Sequence, residues 1–362
     1  MTALKVRLAE LLNSHGPISV AEFMAMCLYD PQHGYYMTRE PFGVDGDFTT
    51  APEISQMFGE LIGVWIAQTW TDLGSPAAII VAEIGPGRGT LMKDMARAIA
   101  RLAPDLTNSA RFALIEVSPR LRDVQAATLA SARGNFEWHD TVDALPDLPL
   151  IIVGNELFDA VPMRQYVRAQ GQWRERMVGL DDAGSLAFFA GLGSVDATLL
   201  PEGADAAPEG AIVELSPARS ALMDKIAALV ARNGGAGLFI DYGYAKPAIG
   251  DTLQALHRHA FDDVLANPGE ADLTSHVDFA ALAGVAGGHG LSTGLLEQGE
   301  FLLRIGLLDR AGRLGSGASE EAQERIRRQV ERLAAPDQMG ALFKALCVWG
   351  NDRPPPAFAS PD

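Results

Sequence analysis

The chain has 362 residues, of which 48% are hydrophobic and 21% are charged, enough for one large α/β domain with additions or for two domains. Its formal net charge of -17, without any cluster of Lys and Arg residues, argues against binding to nucleic acid through phosphate contacts. The longest apolar runs fall far short of the roughly 20 residues that span a bilayer, so we expect no membrane insertion.

The N-terminal region predicts helices on either side of a turn-rich segment. Apolar residues at spacings of three and four indicate helix from residue 1 to about 30, and helical period resumes over 52–70. The residues in between, 30–48, are dense in Gly, Pro and Asp, which disfavour a regular element, yet they include four aromatic residues. A solvated linker rarely carries so many aromatic residues, so this segment is predicted to be an ordered lid.

The central region predicts a parallel sheet. Short apolar strands alternate with helices, which is the pattern of a sheet covered on both faces. The predicted strands are 79–84, 111–117, 135–139, 150–155 and 237–241, with helices near 90–102 and 119–132.

The pattern changes after residue 163. Residues 164–180 and 185–190 are typical of antiparallel hairpins, and a helix at 217–232 returns the chain to the sheet, which a strand-like stretch at 339–349 could close. We therefore predict an α/β fold in four parts. These are N-terminal helices and a lid at 1–75, a core at 76–163 and 211–350, a hairpin-rich insertion at 164–210, and a disordered tail at 351–362.

A Gly-rich turn follows the first strand of the predicted sheet, in Glu83-Ile84-Gly85-Pro86-Gly87-Arg88-Gly89-Thr90. Glycines allow a sharp turn and a close approach of backbone to ligand. The G-x-G-x-G spacing differs from the G-x-G-x-x-G of dinucleotide sites, and a carboxylate before it suits the cationic α-amino group of S-adenosylmethionine but would repel a pyrophosphate. We predict that Glu83, Gly85, Gly87 and Gly89 bind this cofactor, the alternative being a Gly-rich turn without a ligand.

The ends of the next two strands carry further candidate cofactor residues. Glu116 follows the second strand, where an acid can accept hydrogen bonds from the ribose hydroxyls of S-adenosylmethionine or NAD alike. Asp140 follows the third strand and is a suitable acceptor for the adenine amine, whereas a histidine such as His139 is more often structural. We assign Glu116, Ser118, His139 and Asp140 to the predicted cofactor site.

The fourth strand ends in Asn155-Glu156-Leu157-Phe158-Asp159. Asn155 is predicted to contact the cofactor, whose methyl group would point to this strand end. Methyl transfer requires the nucleophile to be positioned and its charge to be supported, and carboxylates can orient a guanidinium. Glu156 and Asp159 are therefore the candidate catalytic residues, the alternative being that they cap a following helix.

The sequence resembles the MidA-like methyltransferases, a family that includes the mitochondrial complex I assembly factor that methylates protein arginine. The resemblance covers roughly residues 13–350. It rests on His33-Gly34-Tyr35-Tyr36, on the segment from Gly46 to Gln56, on the Gly-rich turn, on Asn155-Glu156-Leu157-Phe158-Asp159-Ala160, on Asp241-Tyr242-Gly243 and on the segment from Leu273 to Phe279.

The resemblance implies a Rossmann-like class I methyltransferase sheet and symmetric dimethylation of an arginine on the 49-kDa-type subunit of respiratory complex I, supporting its assembly. It also implies that the segment from Asp47 to Gln56 covers the cofactor and substrate cleft. The predicted lid and substrate residues there are Asp47, Phe48, Thr49, Thr50, Pro52, Glu53 and Gln56.

Two other functions remain open at the sequence level, namely a non-catalytic assembly chaperone that binds S-adenosylmethionine and an NAD-dependent Rossmann oxidoreductase. The only His pair at close spacing, His257 and His259, lacks partners at metal-ligand spacing, so no metal is predicted. Without a signal-peptide or transit-peptide pattern, a cytoplasmic location is expected, and a homodimer is a possible assembly.

Overall fold

The computed structural model describes residues 2–38, 50–258 and 260–359. The chain divides into two compact units that alternate along the sequence. The first unit comprises Met1–Phe48, Phe158–Ala221 and Tyr244–Ala280, and the second comprises Thr49–Leu157, Leu222–Gly243 and Ala281–Asp362. The predicted division into an N-terminal extension, a core and an insertion follows different boundaries from these units and stays a prediction.

The described residues form helices in both units. In chain order they are α1 Ala3–His15, α2 Val20–Tyr29, α3 Tyr35–Thr38, α4 Ala51–Ile54, α5 Gln56–Asp72, α6 Thr90–Leu102, α7 Pro104–Ser109, α8 Pro119–Leu129, α9 Pro217–Asn233, α10 Phe279–Gly288, α11 Gln298–Arg304, α12 Leu307–Gly315 and α13 Glu320–Ala334. None of the helices in these described stretches is long and apolar enough to cross a membrane.

The strands are β1 Ile18–Ser19, β2 Ile79–Ile84, β3 Ala110–Ile115, β4 Asn135–His139, β5 Leu150–Asn155, β6 Arg164–Ala169, β7 Gln172–Leu180, β8 Leu186–Ser194, β9 Ile212–Leu215, β10 Gly235–Tyr244, β11 Gln254–His257, β12 Ala260–Asp262, β13 Asp272–Thr274, β14 Val277–Asp278, β15 Ser292–Glu297 and β16 Phe343–Trp349. The strands predicted at 79–84, 135–139 and 150–155 match β2, β4 and β5.

The sheet of the second unit has the strand order β15-β16-β10-β5-β2-β3-β4. The pairs from β10 to β4 are parallel, and β16 lies antiparallel to β10 and to β15. Every residue of β2 is buried, as the continuous apolar run of a parallel strand requires. The predicted α/β fold with a Rossmann-like sheet is confirmed.

The first unit is built on antiparallel strands. One sheet has the order β1-β7-β6-β9, with β8 paired to β7, and a smaller sheet has the order β12-β11-β13. Its core contains buried side chains of α1 and α2, including Leu4, Leu8, Phe23 and Met24. The predicted hairpin-rich insertion corresponds to β6, β7 and β8.

The C-terminal region differs from the prediction in two ways. The strand predicted at 339–349 forms β16, but it lies inside the sheet, because the unpredicted strand β15 pairs along its outer side. The tail predicted to be disordered contains a packed aromatic residue, since the ring of Phe358 lies 5.7 Å from that of Phe301. Arg304 also donates a hydrogen bond to the carbonyl of Ala357. These contacts correct the prediction for the described part of the tail.

Candidate functional site

Four adjacent parallel strands of the second unit bring most of the predicted site residues to one edge of the sheet. Ile84 at the end of β2 is in register with Ile115 at the end of β3 and with Gly154 near the end of β5. Ile115 is in turn in register with His139, the last residue of β4. Ligands of open α/β sheets bind beyond these carboxyl ends of the strands, so this edge is the candidate site.

The Gly-rich turn joins β2 to α6 in a backbone conformation that favours glycine. Gly85, Gly87 and Gly89 have φ angles of 67°, 52° and 79°, all in the left-handed region. A Cβ added at Gly85 would come within 3.2 Å of the Leu157 side chain. The turn therefore presents backbone without side chains at the start of α6, the arrangement by which such turns approach ligands.

Glu83 lies two residues before the turn, and its side chain is buried. One carboxyl oxygen accepts a hydrogen bond from the backbone amide of Met92 in α6, while Oε2 has no hydrogen-bond partner among the described residues. Burial raises the pKa of Glu83 well above its usual range, and the Met92 amide opposes the shift. An orphaned buried acceptor of this kind calls for a donor, and a cation arriving there would restore the ionised form.

Glu116 follows β3 directly and is also buried. Its Oε1 accepts the amide of Ser118 at 2.8 Å, and its Oε2 accepts the side-chain amide of Gln125 at 3.2 Å. Burial raises its pKa, although both of these hydrogen bonds favour the ionised form. The carboxylate is thus held in place by fixed donors at the strand end where the sequence predicts the ribose contact.

Gln125 is a site residue that the sequence analysis missed. It is fully buried in α8, and its Nε2 donates to the carbonyl of Gly87 at 2.8 Å as well as to Glu116. Its Oε1 accepts the indole N–H of Trp138 at 2.9 Å. A signal was available, because Gln125 stands between Leu121 and Leu129 at spacings of four, in the middle of the buried stripe of the helix.

Because Gln125 links the Gly-rich turn to Glu116, Gln125→Leu should disturb both. The substitution leaves the Trp138 N–H and one oxygen of Glu116 without this partner, and each such loss costs about 1–3 kcal/mol. We expect a clearly lower melting temperature and weaker binding of S-adenosylhomocysteine, measured by thermal unfolding and calorimetry. Gln125→Glu, which keeps the acceptor for Trp138 but places a second carboxyl group beside Glu116, should weaken binding as well. Unchanged affinity in both folded variants would rule out this link.

Ser118, His139 and Asp140 have local partners in the structure. The hydroxyl of Ser118 is the N-cap of α8 and accepts the amide of Leu121. The ring Nε2 of His139 lies 3.1 Å from Glu137, and the His139 carbonyl accepts the amide of Glu116 at 3.0 Å. Asp140 is mostly exposed and pairs with Arg122. Their assignment to the cofactor site stays a prediction, and the first two help to position Glu116.

At the end of β5, Glu156 adopts a φ of 48°, which is strained for a residue with a side chain. Its amide donates to the carbonyl of Ile240 at 2.8 Å, and its Oε1 accepts from the Asn155 side chain at 3.1 Å. The Oδ1 of Asn155 is buried without a hydrogen-bond partner in the described part of the chain. Residues 157–163 contain no helix and lead directly into β6, so the alternative role of Glu156 as a helix cap is wrong.

The described part of the segment from Asp47 to Gln56, residues 50–56, contacts the same edge. The amide of Ala51 donates to Glu156 Oε1 at 3.3 Å, and Glu53 accepts the hydroxyl of Thr90, the first residue of α6, at 2.6 Å. Thr50 is the N-cap residue of α4, Pro52 is buried near its start, and Gln56 begins α5 with an exposed side chain. Asp47, Phe48 and Thr49 lie outside the described residues.

Asp159 belongs to the first unit, where its backbone is firmly held. Its carbonyl accepts the amide of Ser275 at 3.1 Å and a guanidinium N–H of the buried Arg219 at 3.0 Å. The same unit holds Tyr36, whose hydroxyl donates to Asp272 at 2.9 Å. Burial raises the pKa of Tyr36, and the charges of Asp272 and Asp159 raise it further. The predicted motifs around residues 33–36 and 273–279 thus meet near Asp159.

The edge of the sheet fits S-adenosylmethionine. The glycines leave the turn without side chains. Two buried acceptors that have no hydrogen-bond partner among the described residues, Glu83 Oε2 and Asn155 Oδ1, lie near the ends of the paired strands β2 and β5. Acceptors at these positions suit the cationic amino group and other N–H and O–H donors of that molecule.

The chain is similar to proteins named as protein arginine methyltransferases and to a solved structure with bound S-adenosyl-homocysteine. A protein arginine methyltransferase of Drosophila melanogaster, the mitochondrial NDUFAF7 homolog, is 34% identical over 96% of this chain and 85% of its own length. The human mitochondrial protein arginine methyltransferase NDUFAF7 is 31% identical over 94% of this chain and 82% of its own. A crystal structure of a protein from Burkholderia thailandensis bound to S-adenosyl-homocysteine is 31% identical, with a TM-score of 0.87 over 99% of this chain and 94% of that one.

The curated relatives overturn one prediction. Their names place them in mitochondria, so the cytoplasmic location expected for this chain is contradicted. Composition and fold predict location poorly, because location depends on an address read by receptors rather than on the folded domain.

The family comparison settles the class of the chain. Residues 61–295 match the model of a family described as "Putative S-adenosyl-L-methionine-dependent methyltransferase". The matched range contains the Gly-rich turn, Glu116 and Glu156, and this membership excludes the NAD-dependent oxidoreductase. The chain belongs to this family of S-adenosylmethionine-dependent methyltransferases.

Proposed function

We propose that this protein is a protein-arginine N-methyltransferase that symmetrically dimethylates an arginine of the 49-kDa-type subunit of respiratory complex I and so supports assembly of that complex. The names of its relatives support an arginine of a protein as the substrate. The finer assignment, to symmetric dimethylation and to this subunit, rests on the resemblance of the motifs.

The cofactor site that we propose uses the carboxyl ends of four strands. Glu83 and Asn155 supply buried acceptors for donor groups, the backbone of Gly85, Gly87 and Gly89 allows close approach, and Glu116 accepts the ribose hydroxyls. Asp140, together with Ser118 and His139, belongs to the adenine side of this site. S-adenosylmethionine supplies an electrophilic methyl group.

The proposed role of Glu156 and Asp159 is to bind the substrate guanidinium. A guanidinium stays protonated to a pH above about 12, and carboxylates bind it through short, charge-assisted hydrogen bonds. Such bonds would orient one nitrogen as the nucleophile and support positive charge during transfer. Thr50, Pro52, Glu53 and Gln56, with the neighbouring Asp47, Phe48 and Thr49, form the proposed cover of the cleft.

The observation that carries this proposal is the strained backbone of Glu156. A positive φ in a residue other than glycine costs about 1–3 kcal/mol and is retained where the surroundings over-determine it, commonly at functional sites. Here the Ile240 carbonyl, the Ala51 amide and the Asn155 side chain fix the residue at the end of β5. A fixed, half-buried carboxylate at a methyltransferase strand end suits a cationic substrate.

Mass spectrometry of complex I subunits from cells with and without this protein tests the substrate. We expect a symmetric dimethylarginine on the 49-kDa-type subunit that disappears when the gene is deleted and returns with the wild-type protein. A subunit that carries the same modification in both cell types would remove it from the substrates of this enzyme.

The proposed contact between Glu116 and the ribose can be tested separately. Glu116→Ala should weaken binding of S-adenosylmethionine and of S-adenosylhomocysteine to the same extent, because both share the ribose, and each charge-assisted hydrogen bond contributes roughly 1.5–3 kcal/mol. Calorimetric titration of the folded variant with both compounds measures this. A variant with wild-type affinity for both would place the ribose elsewhere.

A further inference from the structure

The second unit carries a concave pocket, and none of the residues that line it is among the cofactor and substrate residues assigned above. It is lined by Lys93, Arg97 and Arg101 of α6, by Ser131 and Arg133 after α8, and by two alanines, and has a volume of about 460 Å³. The three α6 residues follow one another at spacings of four, so they share one face of the helix. We call this feature the basic pocket.

The basic pocket concentrates positive charge in a chain whose formal net charge is -17. Arg97 is engaged by carboxylates, with Glu60 at 3.1 Å and Asp94 at 2.8 Å. Lys93, Arg101 and Arg133, by contrast, form no salt bridge with any residue that the structure describes. Many other arginines of this acidic chain do have such partners, for example Arg111 with Glu137 and Arg310 with Glu60.

Three cations that form no salt bridge with the described residues surround one concavity together with a serine hydroxyl, and this arrangement suits an anion. Like charges held together repel one another unless an anion lies between them. Guanidinium groups form paired hydrogen bonds with phosphate oxygens, and an ammonium group and a serine hydroxyl add further donors. The volume falls within the roughly 300–1,000 Å³ range of small-molecule sites, and a single concavity suits a compact ligand better than an extended peptide.

We propose that the basic pocket binds a compact polyanion of phosphate chemistry. The proposal is independent of methyl transfer, because none of the lining residues is assigned to the cofactor or the substrate guanidinium. The phosphate groups can come from a soluble compound or from the headgroup of an anionic lipid.

Calorimetric titration of the full chain with inorganic triphosphate at low salt tests the proposal. We expect saturable one-to-one binding, weakened roughly tenfold or more in Arg101→Ala/Arg133→Ala. Arg325→Ala/Arg332→Ala is the matched control, since it removes two exposed arginines of α13 and changes the net charge equally. The control should stay within about twofold of wild type, because neither of its two arginines lines the pocket. If the first variant fails to fold, Lys93→Gln takes its place.

Further experiments distinguish a soluble phosphate compound from an anionic lipid headgroup. Sedimentation of wild type, but not of Arg101→Ala/Arg133→Ala, with vesicles of anionic phospholipid would identify a lipid headgroup, whereas triphosphate binding without sedimentation would identify a soluble ligand. Absence of saturable triphosphate binding, or equal losses in the pocket and control variants, would overturn the proposal. Displacement of triphosphate by a lower concentration of a Glu-rich peptide would overturn it in favour of an acidic protein segment.

Discussion

Glu156→Gln should lower methyl transfer by roughly a hundredfold to a thousandfold, the range observed when one preorganised electrostatic contact to a transition state is removed. The substitution keeps the shape and a side-chain oxygen that can accept from the Ala51 amide and from Asn155. It removes the negative charge that would pair with the guanidinium. Affinity for S-adenosylhomocysteine and the melting temperature should both stay near wild type.

Two companion variants separate chemistry from stability at this position. Glu156→Gly relieves the left-handed backbone, whose φ is 48°, and should be about 1 kcal/mol more stable than Glu156→Ala. Both should be as inactive as Glu156→Gln in single-turnover transfer from labelled cofactor. Near-normal transfer by folded Glu156→Gln would remove the residue from catalysis, and normal cofactor binding without transfer in wild type would favour a non-catalytic assembly chaperone.

Gly87→Val should abolish binding of S-adenosylmethionine in a protein that still folds. The φ of 52° at Gly87 is strained for any β-branched residue, at about 1–3 kcal/mol, and the added side chain would stand where the turn offers bare backbone. The Gly87 carbonyl also accepts the hydrogen bond from Gln125, so a shift of this backbone would reach Glu116.

Gly74→Val supplies the matched control for backbone strain. Gly74 has a φ of 83°, and an added Cβ would meet no atom within 4 Å. The Gly74→Val variant should therefore lose about as much free energy of unfolding as Gly87→Val. Its affinity for the cofactor, measured by calorimetry, should be unchanged. Equal affinity in the two folded variants would mean that the Gly-rich turn does not receive the cofactor.

Much of the sheet could be predicted from the sequence because its central strands are buried on both faces. The apolar run of β2 and the glycines behind it mark a strand, a turn and a helix without any tertiary information. The edge strand β15 was missed for the opposite reason, since Ser292, Thr293 and Glu297 are exposed and interrupt any apolar pattern. Register and sheet order depend on contacts between distant segments and cannot be read from local periodicity.

The site residues at the strand ends could be predicted from the sequence, whereas the residues that hydrogen-bond to them could not. Glu83, Glu116 and Glu156 each follow an apolar run, which makes them visible as exceptions. Gln125 and Ala51 act through hydrogen bonds to residues 38 and 105 positions away, a relation that no sequence spacing encodes. The positive φ of Glu156 is likewise imposed by the tertiary structure, because glutamate has no intrinsic preference for it.

Transfer of an isotope-labelled methyl group from S-adenosylmethionine to the purified 49-kDa-type subunit, with the labelled atom located by mass spectrometry, tests both the proposed substrate and the proposed role of Glu156. We expect label on both terminal nitrogens of one arginine with the wild-type enzyme and almost none with Glu156→Gln at equal cofactor occupancy. Label on another residue type, or equal labelling by the two proteins, would contradict it.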